Sequence, residues 1–145
     1  MNKNNINFQV NRTKEGTICE IACGLLILLS LILSFTLLPT TAQGGIAMLI
    51  QTCSIALCVL LMLILVYQPN NFNIPDNSPA ELFIATVRFV RITAVLMSVL
   101  SLAVTLSAIF SFEPYLIFGI FGLIFVPLLC WYFHIYVKAK HQKTS

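Results

Sequence analysis

Charge is what this sequence has least of. Charged side chains make up 9% of its 145 residues, against about 25% in ordinary soluble domains. A chain this poor in charge cannot dress a water-facing surface, so a lone soluble domain is excluded and a lipid bilayer is the natural solvent. Groups able to do chemistry are scarce too: there are five acids and two histidines, with Glu20, Asp76, Glu81, Glu113, His134 and His141 the candidates. The chain contains no His-Glu-x-x-His, no Gly-x-Ser-x-Gly, no glycine-rich phosphate loop and no Cys-x-x-Cys, the spacings that bring metal ligands, nucleophiles or phosphate cradles together. The reading is therefore non-enzymatic, with no catalytic residue, cofactor or metal expected. No acid falls in the middle of an apolar run, and coupled proton or sodium carriers need one at mid-depth.

The five cysteines (Cys19, Cys23, Cys53, Cys58 and Cys130) all lie in or beside apolar runs. Cys19 and Cys23 share a helix face, but two thiols one turn apart on a helix are badly placed to bridge. With no further cysteine or histidine beside them they read as small packing residues rather than a metal pair.

What the sequence does have is four long apolar runs, Ile21–Leu38, Ile46–Tyr67, Ile92–Phe112 and Tyr115–Val137, and about 20 residues cross a hydrocarbon core. The expected organisation is a cytoplasmic tail (1–17), a four-span membrane domain (18–138) and a second cytoplasmic tail (139–145), with spans at about 19–38, 45–67, 79–111 and 114–137. In fold class this is all-α, an integral-membrane four-helix bundle of antiparallel up-down helices whose third member extends into the cytoplasm.

All eight lysines and arginines fall before the first span (Lys3, Arg12, Lys14), before the third (Arg88, Arg91) or after the fourth (Lys138, Lys140, Lys143). Four crossings put these places on one side, so the positive-inside bias makes both termini cytoplasmic in a bacterial inner membrane. The net charge of +3 then marks topology and attraction to anionic headgroups; no nucleic-acid partner is implied. The bilayer is the first partner, and a second copy or another membrane protein the next.

Asn11-Arg12-Thr13 matches a glycosylation sequon by chance, since the cytoplasmic side never meets that enzyme. Residues 1–17 read as a loose tail. Glu20 opens the first span, where a carboxylate complements the helix dipole. Pro39 and Gly44-Gly45 make a short outer turn. Ala47, Gln51, Ser54 and Cys58 recur on one face of the second span, which predicts that this face points into the bundle. Tyr67 closes that span as an interfacial aromatic.

Pro69, Pro75 and Pro79 stand among asparagines in the inner connection, which ends in Ser78-Pro79-Ala80-Glu81, a capping box with proline at the first helical position. From there one long helix presents Glu81, Arg88, Arg91, Ala94, Ser98, Ser101, Thr105 and Ala108 at helical spacing. Two expectations follow. Glu20, Glu81, Arg88 and Arg91 form a candidate cytoplasmic polar cluster, in which the arginines read first as snorkelling topology markers and, as the sharper alternative, one of them pairs with Glu20. Ser98, Ser101 and Thr105 pack on the Gln51 and Ser54 face of the second span.

Glu113-Pro114 then turns the chain, Gly119 and Gly122 offer a close-approach surface, and Pro127 predicts a kink. Tyr115 at one end and Trp131, Tyr132 and Tyr136 at the other form interfacial belts. His134 reads as an interfacial histidine.

Leu37-Leu38-Pro39, Gly44-Gly45 and Tyr67-Gln68-Pro69 followed by Phe72-Asn73-Ile74-Pro75 resemble bacterial multi-span proteins with the domain of unknown function shared by SdpI-type toxin-immunity proteins. The resemblance covers roughly residues 25–75 and implies an immunity or signalling role. That family has a longer outer turn with a histidine after the proline, which this chain lacks. Interaction in the membrane (immunity, sensing or accessory) is the primary reading; a small dimeric multidrug-type transporter is the alternative, weakened because Glu20 is shallow.

Overall fold

A computed structural model describes residues 13–37, 45–68 and 80–142. They form four α-helices: α1 (Lys14–Leu37), α2 (Gly45–Val66), α3 (Ala80–Phe110) and α4 (Pro114–Gln142). Each is long and apolar enough to cross a membrane, and no strand occurs among the described residues. The capping box at Ser78-Pro79, the outer turn at 38–44 and the proline-rich connection lie outside the described residues.

The first span begins earlier than its apolar run suggests, inside the segment expected to be a tail. Thr13 explains the start. Its Oγ1 accepts from the Gly16 N–H at 3.2 Å, capping one of the amino-terminal orphan donors, and its carbonyl accepts the first intrahelical bond, from the Thr17 N–H at 3.0 Å. The residue that completes the chance sequon is thus the N-cap of α1.

Cross-helix contacts fix the directions. Ser30 meets Ser101 and Ser34 meets Thr105, so α1 and α3 run parallel. Ser34 also meets Thr52 while Glu20 meets Tyr67, so α2 runs antiparallel to both. Phe89 stacks on Tyr132, which makes α4 antiparallel to α3. The start of α1, the end of α2, the start of α3 and the end of α4 therefore share one end of the molecule.

α3 is the organising helix: it touches all three others, α1 also touches α2, and α4 touches α3 alone. The assembly is a three-helix core with an appended fourth helix. Cys23, Val59 and Ala94, one from each core helix, are fully buried, with Ile27, Ile55, Met62, Leu63, Val95 and Met97 around them. Lipid tails are as apolar as these side chains, so the core gains little from leaving the solvent. Close fit between small residues has to hold it instead.

The expected inward face of α2 is corrected. Ala47, Ser54 and Cys58 are exposed and Gln51 is only half-buried, whereas Thr52, Val59 and Val66 are buried. Those three are spaced by seven residues, the seam a helix needs to stay on its neighbours. Ser54 spends its hydroxyl on its own helix, donating to the Ile50 carbonyl at 2.8 Å, which removes the reason to bury it.

α3 ends where expected. Ser111 takes a left-handed conformation (φ 56°), and the Phe112 N–H returns to the Ser107 carbonyl at 2.9 Å, the hydrogen bond of a Schellman stop. Serine is strained there because its Cβ crowds the carbonyl. Ser111→Gly is expected to raise stability by about 0.5–1 kcal/mol, read as a higher unfolding midpoint in detergent. An unchanged or lower midpoint would show that the serine hydroxyl compensates for the strain. Glu113 and Pro114 follow, and the proline opens α4, which continues through Pro127 without a break.

Candidate functional site

Among the described residues two polar constellations stand out, one along the core and one at its end. Along the core runs a seam of hydroxyls. Ser98, Ser101 and Thr105 are buried, and the hydroxyls that meet Ser101 and Thr105 across the helix gap are Ser30 and Ser34 of α1. Ser101 donates to Ser30 at 3.3 Å. Ser34 lies 3.3 Å from Thr52 and 3.5 Å from Thr105.

The hydroxyl protons are mostly spent within single helices. Ser30, Thr52, Ser98 and Thr105 give their hydrogens to carbonyls of their own helices (Ile27, Met48, Ala94 and Ser101) at 2.8–2.9 Å. Ser34 is then the hydroxyl with a proton to offer both Thr52 and Thr105, and one proton serves one of them at a time. The cross-helix distances exceed the 2.7–2.8 Å of a strong O–H···O bond. Close approach of small side chains therefore holds the seam more than hydrogen bonding does.

The second constellation lies where α1 begins. Arg91 comes from α3 and is 7% exposed, although a guanidinium is seldom buried without a partner. Its Nη1 donates to Thr13 Oγ1 at 3.3 Å, and the group lies flat on Gly16, where a Cβ would stand 2.5 Å from Nη2 and 2.6 Å from Cζ. Only glycine permits that approach. Neither Nε nor Nη2 has a hydrogen-bond partner.

Glu20 is taken by Tyr67, just past the end of α2, rather than by an arginine: the phenol donates to its Oε1. That bond pushes the phenol above its ordinary range, with Arg91 acting in the opposite direction. The expected pairing of Arg88 or Arg91 with Glu20 is thereby corrected. Arg88 is exposed and faces Glu15 at 3.9 Å, a surface pair worth a few tenths of a kcal/mol at most. Glu81 is exposed two turns further out. Glu20 and Arg91 therefore meet through Tyr67, while Arg88 pairs at the surface and Glu81 lies apart from them.

Sequence reasoning misses several members of this cluster. Thr13, Glu15 and Gly16 fall in the segment expected to be a tail, and Tyr67 reads as an interfacial aromatic. The signal available for Gly16 is its seven-residue spacing to Cys23 and Ser30, all three buried. Of the cysteines only Cys23 is buried; Cys53, Cys58 and Cys130 are exposed. His134 is exposed on α4. Among the described residues no three metal-ligating side chains converge.

Compared with protein-family models, curated proteins and solved structures, the chain matches none.

Proposed function

We propose that this chain is a multi-pass protein of the bacterial inner membrane that acts by interaction, in an immunity, sensing or accessory role, with both termini in the cytoplasm. The observation that carries this reading is the position of α4. It touches α3 and neither other helix, and nothing approaches Gly119 or Gly122 within 4 Å of where a Cβ would be. Small residues on an uncovered membrane helix allow another helix to come close, the form that recognition takes where the hydrophobic effect gives no drive. Orientation is supported by Lys14, Arg88, Arg91, Lys138 and Lys140, all on helix segments that meet at one end.

The test is a photo-reactive amino acid placed in intact cells at Gly122 or Leu123 on α4 and, as a control, at the exposed Leu28 of α1, with a fluorescent reporter on the carboxyl terminus to read its side. A discrete protein adduct from α4, absent from Leu28, is the expected result. Lipid adducts alone at all three positions would overturn the reading. Cationic-dye transport by the pure protein in liposomes would favour the multidrug-type alternative instead.

A further inference from the structure

Arg91 is a buried cation with two donors, Nε and Nη2, that no acceptor among the described residues meets. Of the carboxylates near it, Glu15 faces Arg88 at the surface and Glu20 accepts from the neutral Tyr67 phenol, so neither sits on the Nε–Nη2 edge although Glu20 keeps its charge. Glu113 stands at the opposite end, where α3 hands over to α4. The two orphaned donors, Nε and Nη2, form one edge of the guanidinium, and their N–H bonds point the same way. Such a fork matches the paired oxygens of a phosphate or carboxylate and is poorly satisfied by one water. A buried charged donor without an acceptor is costly, and a bound anion removes that cost.

A second feature points to the same place. Arg91 is fixed against the first turn of α1, through Thr13 Oγ1 and the face of Gly16. The amino end of a 24-residue helix carries a partial positive charge and favours anions. Lys14 and Arg88 are exposed at this level, the depth at which charged side chains meet lipid headgroups.

We propose that the Nε–Nη2 edge of Arg91 and the amino end of α1 together hold a phosphate-class anion, either a lipid headgroup phosphate or free phosphate. Phosphate oxygens occupy the two orphaned donors, and Thr13 steadies the guanidinium from its Nη1 side. Gly16 is the residue that makes the seat, because any side chain there pushes the guanidinium away. The inference stands apart from what α4 binds.

The experiment uses the full chain purified in non-ionic detergent without phosphate. Three probes are added separately: inorganic phosphate, short-chain phosphatidylglycerol, and a diacyl glycolipid that lacks phosphorus. Binding is read by native mass spectrometry and by the shift in unfolding temperature. Wild type is expected to bind a phosphorus-bearing probe, with Arg91→Gln weakening it by roughly tenfold or more and Arg91→Lys, which keeps charge but loses the fork, falling between.

Gly16→Ala retains every charge and guards against misfolding of the arginine variants; it should weaken binding as Arg91→Gln does. Preference for phosphatidylglycerol identifies a headgroup, and preference for inorganic phosphate a soluble ligand; either supports the proposal. Failure of both probes, equal binding of the glycolipid, or unchanged binding in Gly16→Ala overturns it.

Discussion

Ser101→Leu is expected to force α1 and α3 apart. The Ser101 hydroxyl sits 3.3 Å from that of Ser30, and both residues are essentially sealed from their surroundings. A leucine there has nowhere to go except into α1. Overpacking of a close-packed contact costs typically 1–3 kcal/mol, a roughly 5- to 150-fold shift toward the unfolded state. Ser101→Ala removes only the hydrogen bond, and such bonds average about 0.6 kcal/mol inside membranes.

Equilibrium unfolding of both variants in mixed detergent separates the two contributions. The leucine variant should lose several times what the alanine variant loses. Equal losses would mean that hydrogen bonding, rather than close approach, holds the seam.

The second large effect is expected at Tyr132, which ties α4 to α3 through both its ring and its hydroxyl. Its ring stacks on Phe89 with centroids 4.4 Å apart and 19° between planes. Its hydroxyl lies 3.2 Å from that of Thr86, whose own proton goes to the Leu82 carbonyl at 2.8 Å, so Tyr132 is the donor. The stack contributes about 0.5–1.5 kcal/mol and the hydroxyl about 0.6 kcal/mol.

Together these amount to about 1–2 kcal/mol, or roughly a 6- to 30-fold shift in the docking of α4 for Tyr132→Ala. Hydrogen exchange is the measurement. Amides of α4 beyond Pro127 should exchange faster in Tyr132→Ala while those of α1 and α2 stay protected. Tyr132→Phe should lie near wild type, because it keeps the stack. Uniform loss of protection in all four helices would instead make α4 an integral part of the core.

The α4 result bears directly on function. A helix held by one neighbour can exchange that neighbour for a partner more readily than a helix locked between two. If Tyr132→Ala changes the photo-adduct pattern at Gly122 as well as α4 exchange, docking on α3 and recognition of a partner share the same helix.

Periodicity made part of this legible without coordinates. Ser98, Ser101 and Thr105 repeat at helical spacing within an apolar run, and a polar group in lipid must be hidden, so burial of that stripe follows from the residues themselves. The turn at Glu113-Pro114 follows equally, because proline lacks the N–H to continue α3 and suits the first position of α4.

α2 shows where such reasoning fails. Gln51 and Ser54 are the more polar pair, yet Thr52 is the residue that faces the core. A short hydroxyl side chain can satisfy itself on the preceding turn, as Ser54 does on Ile50, so polarity alone does not tell inward from outward.

What the sequence determined by itself is the set of elements: four membrane-length helices, their order, the sharp turn between the last two, and the small-residue face of α3. These depend on local chemistry, on apolar length, helical spacing and proline, which each segment carries wherever it is placed. Only the tertiary structure decided the partners. It put Ser30 and Ser34 rather than Gln51 against α3, Tyr67 rather than an arginine on Glu20, and Arg91 on Gly16 with two donors unmet. In lipid every helix face is apolar enough to be a candidate neighbour. The choice among them is made by which small surfaces fit at van der Waals distance, and that is a property of pairs of helices, written in no single stretch of chain.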